Sequence, residues 1–215
     1  MAQKIPVSLK IIYSAFMMVL IPVYWRYYGP TNFLWISDVS LILAFLAVLF
    51  ENKIFASMAA IGGLVLETFW MLSFALVLFF NIHFTDIADY MFDSSLPLWL
   101  RSISLFHIAL PPLFIWLILR LGYVQKAVYI QITLTWVILG ITWGITKPSE
   151  NINWVFSYLK IEGLSSRPLL YLILEGLGIA GVLFLTHLLL RKVASQYGSL
   201  TKSRASKGVT NTNYQ

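Results

Sequence analysis

The chain of 215 residues contains no cysteine, and only 11% of its residues carry a charge. Without cysteine there is no disulfide, no thiolate metal ligand and no cysteine nucleophile. A soluble domain typically has about 25% charged residues. The low charge and a mean hydropathy of +0.80 therefore argue against a soluble protein.

Sequence motifs of several enzyme classes are also missing. The three histidines show neither H-x-x-x-H nor H-E-x-x-H spacing, so a zinc site would lack ligands. There is no G-x-S-x-G elbow and no glycine-rich loop for a nucleotide phosphate. We therefore predict neither a metal ion nor a cofactor.

What the sequence does have is six long apolar stretches. They cover roughly residues 7–25, 33–50, 54–80, 102–121, 127–146 and 169–190. Since a membrane-spanning helix needs about 20 apolar residues, the sequence predicts an all-α, polytopic helical bundle with six transmembrane helices. We expect one domain over residues 1–194, an uncleaved first helix, and a disordered basic cytoplasmic tail over residues 195–215.

Lysine and arginine are distributed unevenly between the two ends of this bundle. The end that holds both termini collects ten of them, and the other end has five, namely Arg26, Arg101, Lys147, Lys160 and Arg167. The positive-inside rule then places both termini in the cytoplasm. The net charge of +6 indicates topology and attraction to anionic headgroups. We expect membrane lipids as partners and no nucleic acid.

Several ionisable residues lie inside the apolar stretches: Asp38, Glu67, His107 and Glu175, with Arg101 at the entry to the fourth stretch. A charge at the centre of a membrane helix costs at least about 2.5–3.5 kcal/mol, so such residues usually face the bundle interior. We predict that Asp38, Arg101, His107 and Glu175 line one outward-facing polar cavity, with Glu67 near the midplane. In the alternative, structural interpretation, Arg101 forms an ion pair with Asp38 or Glu175 and locks the helices together.

Glycine and proline predict local features of the helices. Gly140 and Gly144 have the small-xxx-small spacing that lets a neighbouring helix pack closely. The Gly62-Gly63 pair predicts either a kink or the close approach of a neighbour. Pro111-Pro112 interrupts the hydrogen-bond ladder of the fourth span and predicts a sharp bend there.

Three segments carry a resemblance to a known family: PTNFLWISD at the second span, PLWLRSISLFHIALPPLF at the fourth, and NWVF before the last. With six spans and cytoplasmic termini, they resemble the androgen-induced-protein family of multi-pass hydrolases of fatty acid esters. The resemblance implies an intramembrane nucleophile, Thr31, and a base, His107. The chain is also similar to uncharacterised bacterial multi-pass membrane-associated proteins, which implies a bacterial inner membrane but no function.

The implied chemistry is a lipid-ester hydrolase or acyl transferase that holds an acyl chain between apolar walls. His107 would activate the Thr31 hydroxyl, and Asp38 or Glu175 would orient the imidazole. Arg101 or the Asn32 amide would stabilise an oxyanion.

Two alternatives stay open. Thr31 could instead be only the N-cap of the second span. The protein could also be non-enzymatic, as a carrier of a small solute or lipid or as an assembly factor. A carrier needs a polar path through the membrane, for which Glu67 and the polar line from Gln131 to Thr146 are the candidates.

Overall fold

A computed structural model describes residues 5–156 and 167–210, from residue 200 onward as backbone only. Within these ranges the chain has no strand, and the predicted all-α class is confirmed. The α-helices are α1 (Val7–Tyr28), α2 (Ile36–Phe50), α3 (Lys53–Phe80), α4 (Leu98–Ile103), α5 (Phe106–Leu121), α6 (Ala127–Ile145) and α7 (Pro168–Thr210). Short 3-10 helices occupy Pro30–Leu34, Asp89–Phe92 and Ile152–Trp154.

The lengths and surfaces of these helices are those of a membrane bundle. Five segments are long and apolar enough to cross a bilayer. They are α1, α3, the combined segment of α4 and α5, then α6, and finally α7 as far as Ser199. Helix α2 is apolar but has only 15 residues. Large side chains such as Ile12 (65%) and Phe79 (73%) are exposed on the outside. An apolar surface of this extent requires lipid around it, so the protein is an integral membrane bundle of about six spans.

Helix α3 lies at the centre and packs against α2, α5, α6 and α7. Its buried face contains small residues, among them Ala59, Ala60, Gly62 and Gly63. A Cβ atom on Gly63 would lie 2.6 Å from the Phe114 ring. The close approach predicted at the glycine pair is therefore confirmed, and α3 continues through it.

The close packing predicted at Gly140 and Gly144 is wrong. Both glycines are exposed, and a Cβ atom on either would meet nothing within 4 Å. Helix α6 instead meets α7 where the Trp136 ring covers Gly176, and a Cβ atom there would lie 2.4 Å from the ring. Gly140 and Gly144 do have the small-xxx-small spacing, but they lie on the outer face of α6.

The interruption of the fourth span also differs from the prediction. Helix α5 is continuous through Pro111 and Pro112, and the break falls earlier, at Ser104 and Leu105 between α4 and α5. Helix α7 extends to Thr210, past the predicted domain boundary at residue 194 and into the predicted disordered tail. Lys160 and residues 211–215, which entered the sequence predictions, lie outside the described residues.

Candidate functional site

The longer connections gather at one end of the bundle, and a cavity of about 450 Å³ lies beneath them. These connections follow α1, α3 and α6, and the short turns at Glu51-Asn52 and after α5 lie at the opposite end. The cavity is lined from α1, α2, α3, α5 and α7 and from all three long connections. It therefore opens where the predicted site residues of different helices come closest together.

Five of the seven residues predicted for the site line this cavity: Asn32, Asp38, Glu67, His107 and Glu175. Thr31 and Arg101 are not among the lining residues. Ser104, one turn before His107, lines the cavity as well. The cavity thus contains some of the residues that the sequence singled out and not others.

His107 is held between two aromatic rings and a carboxylate. Its imidazole stacks on Trp70, with ring centroids 4.4 Å apart, and lies 4.1 Å from the Phe106 ring centroid. Its Nδ1 forms a short hydrogen bond with Oε2 of Glu67, a side chain that is fully buried. The carboxylate that orients His107 is therefore Glu67, and not Asp38 or Glu175 as predicted.

Three carboxyl groups at the cavity have an oxygen without a hydrogen-bond partner among the described residues. The Asn32 amide donates to Oδ2 of Asp38 at 3.0 Å, and Oδ1 of Asp38 remains unpartnered. The same is true of Oε1 of Glu67 and Oε2 of Glu175. Because a buried polar atom without a partner is costly, these three oxygens point to a function that uses them.

The predicted ion pair of Arg101 with Asp38 or Glu175 is wrong. The Arg101 guanidinium donates to the Met91 carbonyl oxygen at 2.6 Å, in the connection between α3 and α4. In the part of the chain that the structure describes, the salt bridges are Lys10–Glu51, His83–Asp89 and His107–Glu67. Arg101 thus tethers that connection.

Thr31 is also not the N-cap of the second span. It lies in the 3-10 helix Pro30–Leu34, and α2 begins after Trp35, whose side chain makes no capping bond. The cap comes from a distant residue, Asn153. Its Oδ1 accepts from the Ile36 amide at 3.0 Å, and its Nδ2 donates to the Leu34 carbonyl at 2.8 Å.

Aromatic side chains form much of the cavity wall: Tyr24, Tyr28, Trp35, Trp70, Tyr90, Phe106 and Trp154. Tyr24 is fixed by a hydrogen bond of 2.8 Å with Ser104, and Trp35 packs edge-on against Trp154 at 5.3 Å. Burial raises the pKa of Tyr90, which lies outside the spans, so its phenol stays protonated and can donate a hydrogen bond. Sequence reasoning missed these residues, since aromatic side chains are common in membrane helices and beside them and carry no signal of their own.

The polar line on α6 is not part of the described lining of the cavity. Gln131 and Thr135 are buried, with side-chain atoms that have no partner among the described residues. Thr142 and Thr146 bond carbonyl groups of their own helix. His187 meets the Tyr123 hydroxyl at 2.6 Å near the other end of the bundle, away from the cavity.

No three histidine, aspartate or glutamate side chains in residues 5–156 and 167–199 come together as ligands of one metal ion would. Comparisons with protein-family models, with characterised proteins and with solved structures find no match to this chain.

Proposed function

We propose that the chain is a non-enzymatic membrane protein that takes a small solute or lipid headgroup into this cavity. The observation that supports it is the set of unpartnered carboxyl oxygens of Asp38, Glu67 and Glu175 at one cavity. A volume of about 450 Å³ falls within the range of ligand sites, roughly 300–1,000 Å³. Ionisable groups kept inside a membrane bundle usually serve a substrate or ion pathway.

The orientation of the cavity belongs to the same proposal. The excess of lysine and arginine at the opposite end places both termini in the cytoplasm. The cavity end then faces the outside of a bacterial inner membrane. A ligand would enter from this end of the bundle.

The absence of cysteine allows a direct test by single cysteine substitutions. Leu66 lines the cavity, and its neighbour Val65 is exposed on the outside of α3. N-ethylmaleimide reacts with a hydrated thiolate and not with a thiol in lipid. We expect Leu66→Cys to react about tenfold faster than Val65→Cys, or more, in lipid nanodiscs.

Val65→Cys is the matched control, since it lies on the same helix at nearly the same depth. Equal and slow reaction at both positions would contradict a cavity that is open to solutes. Size-exclusion chromatography of both variants establishes that the bundle is intact before the rates are compared.

A lipid-ester hydrolase or acyl transferase is the second candidate, favoured by the His107–Glu67 pair. A carboxylate on Nδ1 leaves Nε2 of the imidazole to take a proton from a nucleophile. In that mechanism the Thr31 hydroxyl attacks the ester carbonyl, the alcohol leaves with the proton from His107, and water then releases the acyl group. The position of Thr31 outside the cavity lining favours the first candidate.

An acyl-directed activity probe separates the two candidates. The hydrolase predicts labelling of the wild-type protein, loss of labelling in Thr31→Val, and retention in Thr31→Ser, which keeps the hydroxyl. Labelling that survives in Thr31→Val would place the nucleophile elsewhere. If the folded wild-type protein takes up no probe, the hydrolase is contradicted and the binding function is the candidate that remains.

A further inference from the structure

The charged side chains at the cavity are almost all acidic. No lysine or arginine is among its described lining residues. The single basic group, His107, is engaged by Glu67. Asp38 is only 4% exposed and has a carboxyl oxygen without a partner, and Glu175 has another. The described residues therefore supply no cation to either carboxyl group.

The walls around these carboxyl groups are aromatic. Trp35 packs edge-on against Trp154, and Trp70 lies beside Tyr90 with their ring centroids 6.4 Å apart. The face of an aromatic ring attracts a cation within about 6 Å of its centroid, and rings of this kind surround ammonium groups in known binding sites. A cation is the ligand that gains from both the rings and the carboxyl groups.

The geometry disfavours a bare metal ion. A metal ion needs several oxygen or nitrogen ligands within about 2.6 Å of one point, and no three such side chains converge in the described part of the chain. The cavity is also far larger than one ion, at about 450 Å³. A cation that fills such a site has a charged head and an apolar body.

Resting on the proposed function, we infer that the cavity binds an ammonium group, protonated or quaternary, on an apolar body. Asp38 and Glu175 supply its counter-charges, and the aromatic walls enclose its substituents. Glu67 is shared with His107 and contributes its remaining oxygen, Oε1. The ammonium group can come from a free amine or from the headgroup of an ethanolamine or choline lipid.

The probe is 4-hydroxyphenyltrimethylammonium, and its control is 4-tert-butylphenol, which has the same shape without the charge. Both are added to Leu66→Cys in phosphatidylglycerol nanodiscs, and the rate of N-ethylmaleimide reaction is measured. We expect the cation to slow the reaction about tenfold or more at saturation and the neutral phenol to have little effect. Equal protection by both compounds would overturn the inference.

Charge removal then identifies the counter-charges. Asp38→Asn and Glu175→Gln, each in the Leu66→Cys protein, should raise the half-protecting concentration of the cation about tenfold or more. Asp93→Asn, at an exposed carboxylate in a connection, is the matched control and should leave it unchanged. Unchanged protection in both cavity variants would overturn the assignment.

Replacing half of the phosphatidylglycerol by phosphatidylethanolamine distinguishes the two sources. If this lipid weakens protection by the cation, the site is assigned to a lipid headgroup. If it does not, the site is assigned to a free amine. Both outcomes keep the ammonium site. If Leu66→Cys does not react with N-ethylmaleimide at all, the proposed function fails. If it reacts but the cation gives no protection, only the ammonium inference fails.

Discussion

Gly176 and Gly178 are two residues apart on α7 and have opposite surroundings. A Cβ atom on Gly176 would lie between 2.4 and 2.8 Å from three carbon atoms of the Trp136 ring. A Cβ atom on Gly178 would meet nothing within 4 Å. Because Gly176 has no side chain, α6 and α7 can touch at this point. The contact lies beside Glu175 in the cavity wall.

Gly176→Ala should destabilise the protein, because the ring or the helix must move to admit the methyl group. Overpacking of this kind typically costs about 1–3 kcal/mol, more than the roughly 1 kcal/mol gained from helix propensity. Gly178→Ala is the matched control and should be neutral or slightly stabilising. The melting temperature in detergent is the measurement, and an unchanged value for Gly176→Ala would contradict the packing described.

Four of the residues that line the cavity stood out in the sequence for one physical reason. Asp38, Glu67, His107 and Glu175 stand out in a sequence because an ionisable group in lipid is costly wherever it lies. The shared depth of Asp38, His107 and Glu175 could be counted along the helices. Arg101 was misplaced because the prediction treated the entry to the fourth span as one unbroken helix with His107. The break at Ser104 and Leu105 turns Arg101 toward Met91 instead.

At the scale of elements, hydropathy located the spans but not their interruptions. Apolar length decides which segments enter the bilayer, and the limits of α3 agree with the prediction to within a residue. Breaks depend on tertiary contacts. The start of α2 is set by Asn153, more than a hundred residues away in the sequence, and nothing near Thr31 indicates this. Likewise, the face that Gly140 presents depends on how α6 is rotated in the bundle.

At the scale of the whole molecule, the cavity lined by the carboxyl groups lies at one end of the bundle. The long connections and the carboxyl groups share that end, and the basic excess lies at the other. This asymmetry favours a protein that receives its ligand from one side of the membrane. The orientation of the bundle therefore decides which compartment supplies that ligand.

The orientation can be measured with a pair of single cysteines in intact cells. Ser94 is exposed in the connection between α3 and α4, and Ser199 is exposed on α7 at the opposite end. We expect a membrane-impermeant maleimide to label Ser94→Cys in intact cells and to label Ser199→Cys only after the cells are permeabilised. The reverse pattern would place the termini and the basic end outside.

The shortness of α2 has a consequence for the bilayer itself. Its 15 residues extend about 22 Å, whereas the hydrocarbon core is about 30 Å thick. Leu49 and Phe50 at its end are exposed, so lipids next to α2 must shorten or tilt to match it. Such mismatch costs fractions of a kcal/mol per ångström. We therefore expect the bilayer to be thinner beside α2, so that membrane thickness helps to set how far a headgroup lies from the carboxyl group of Asp38.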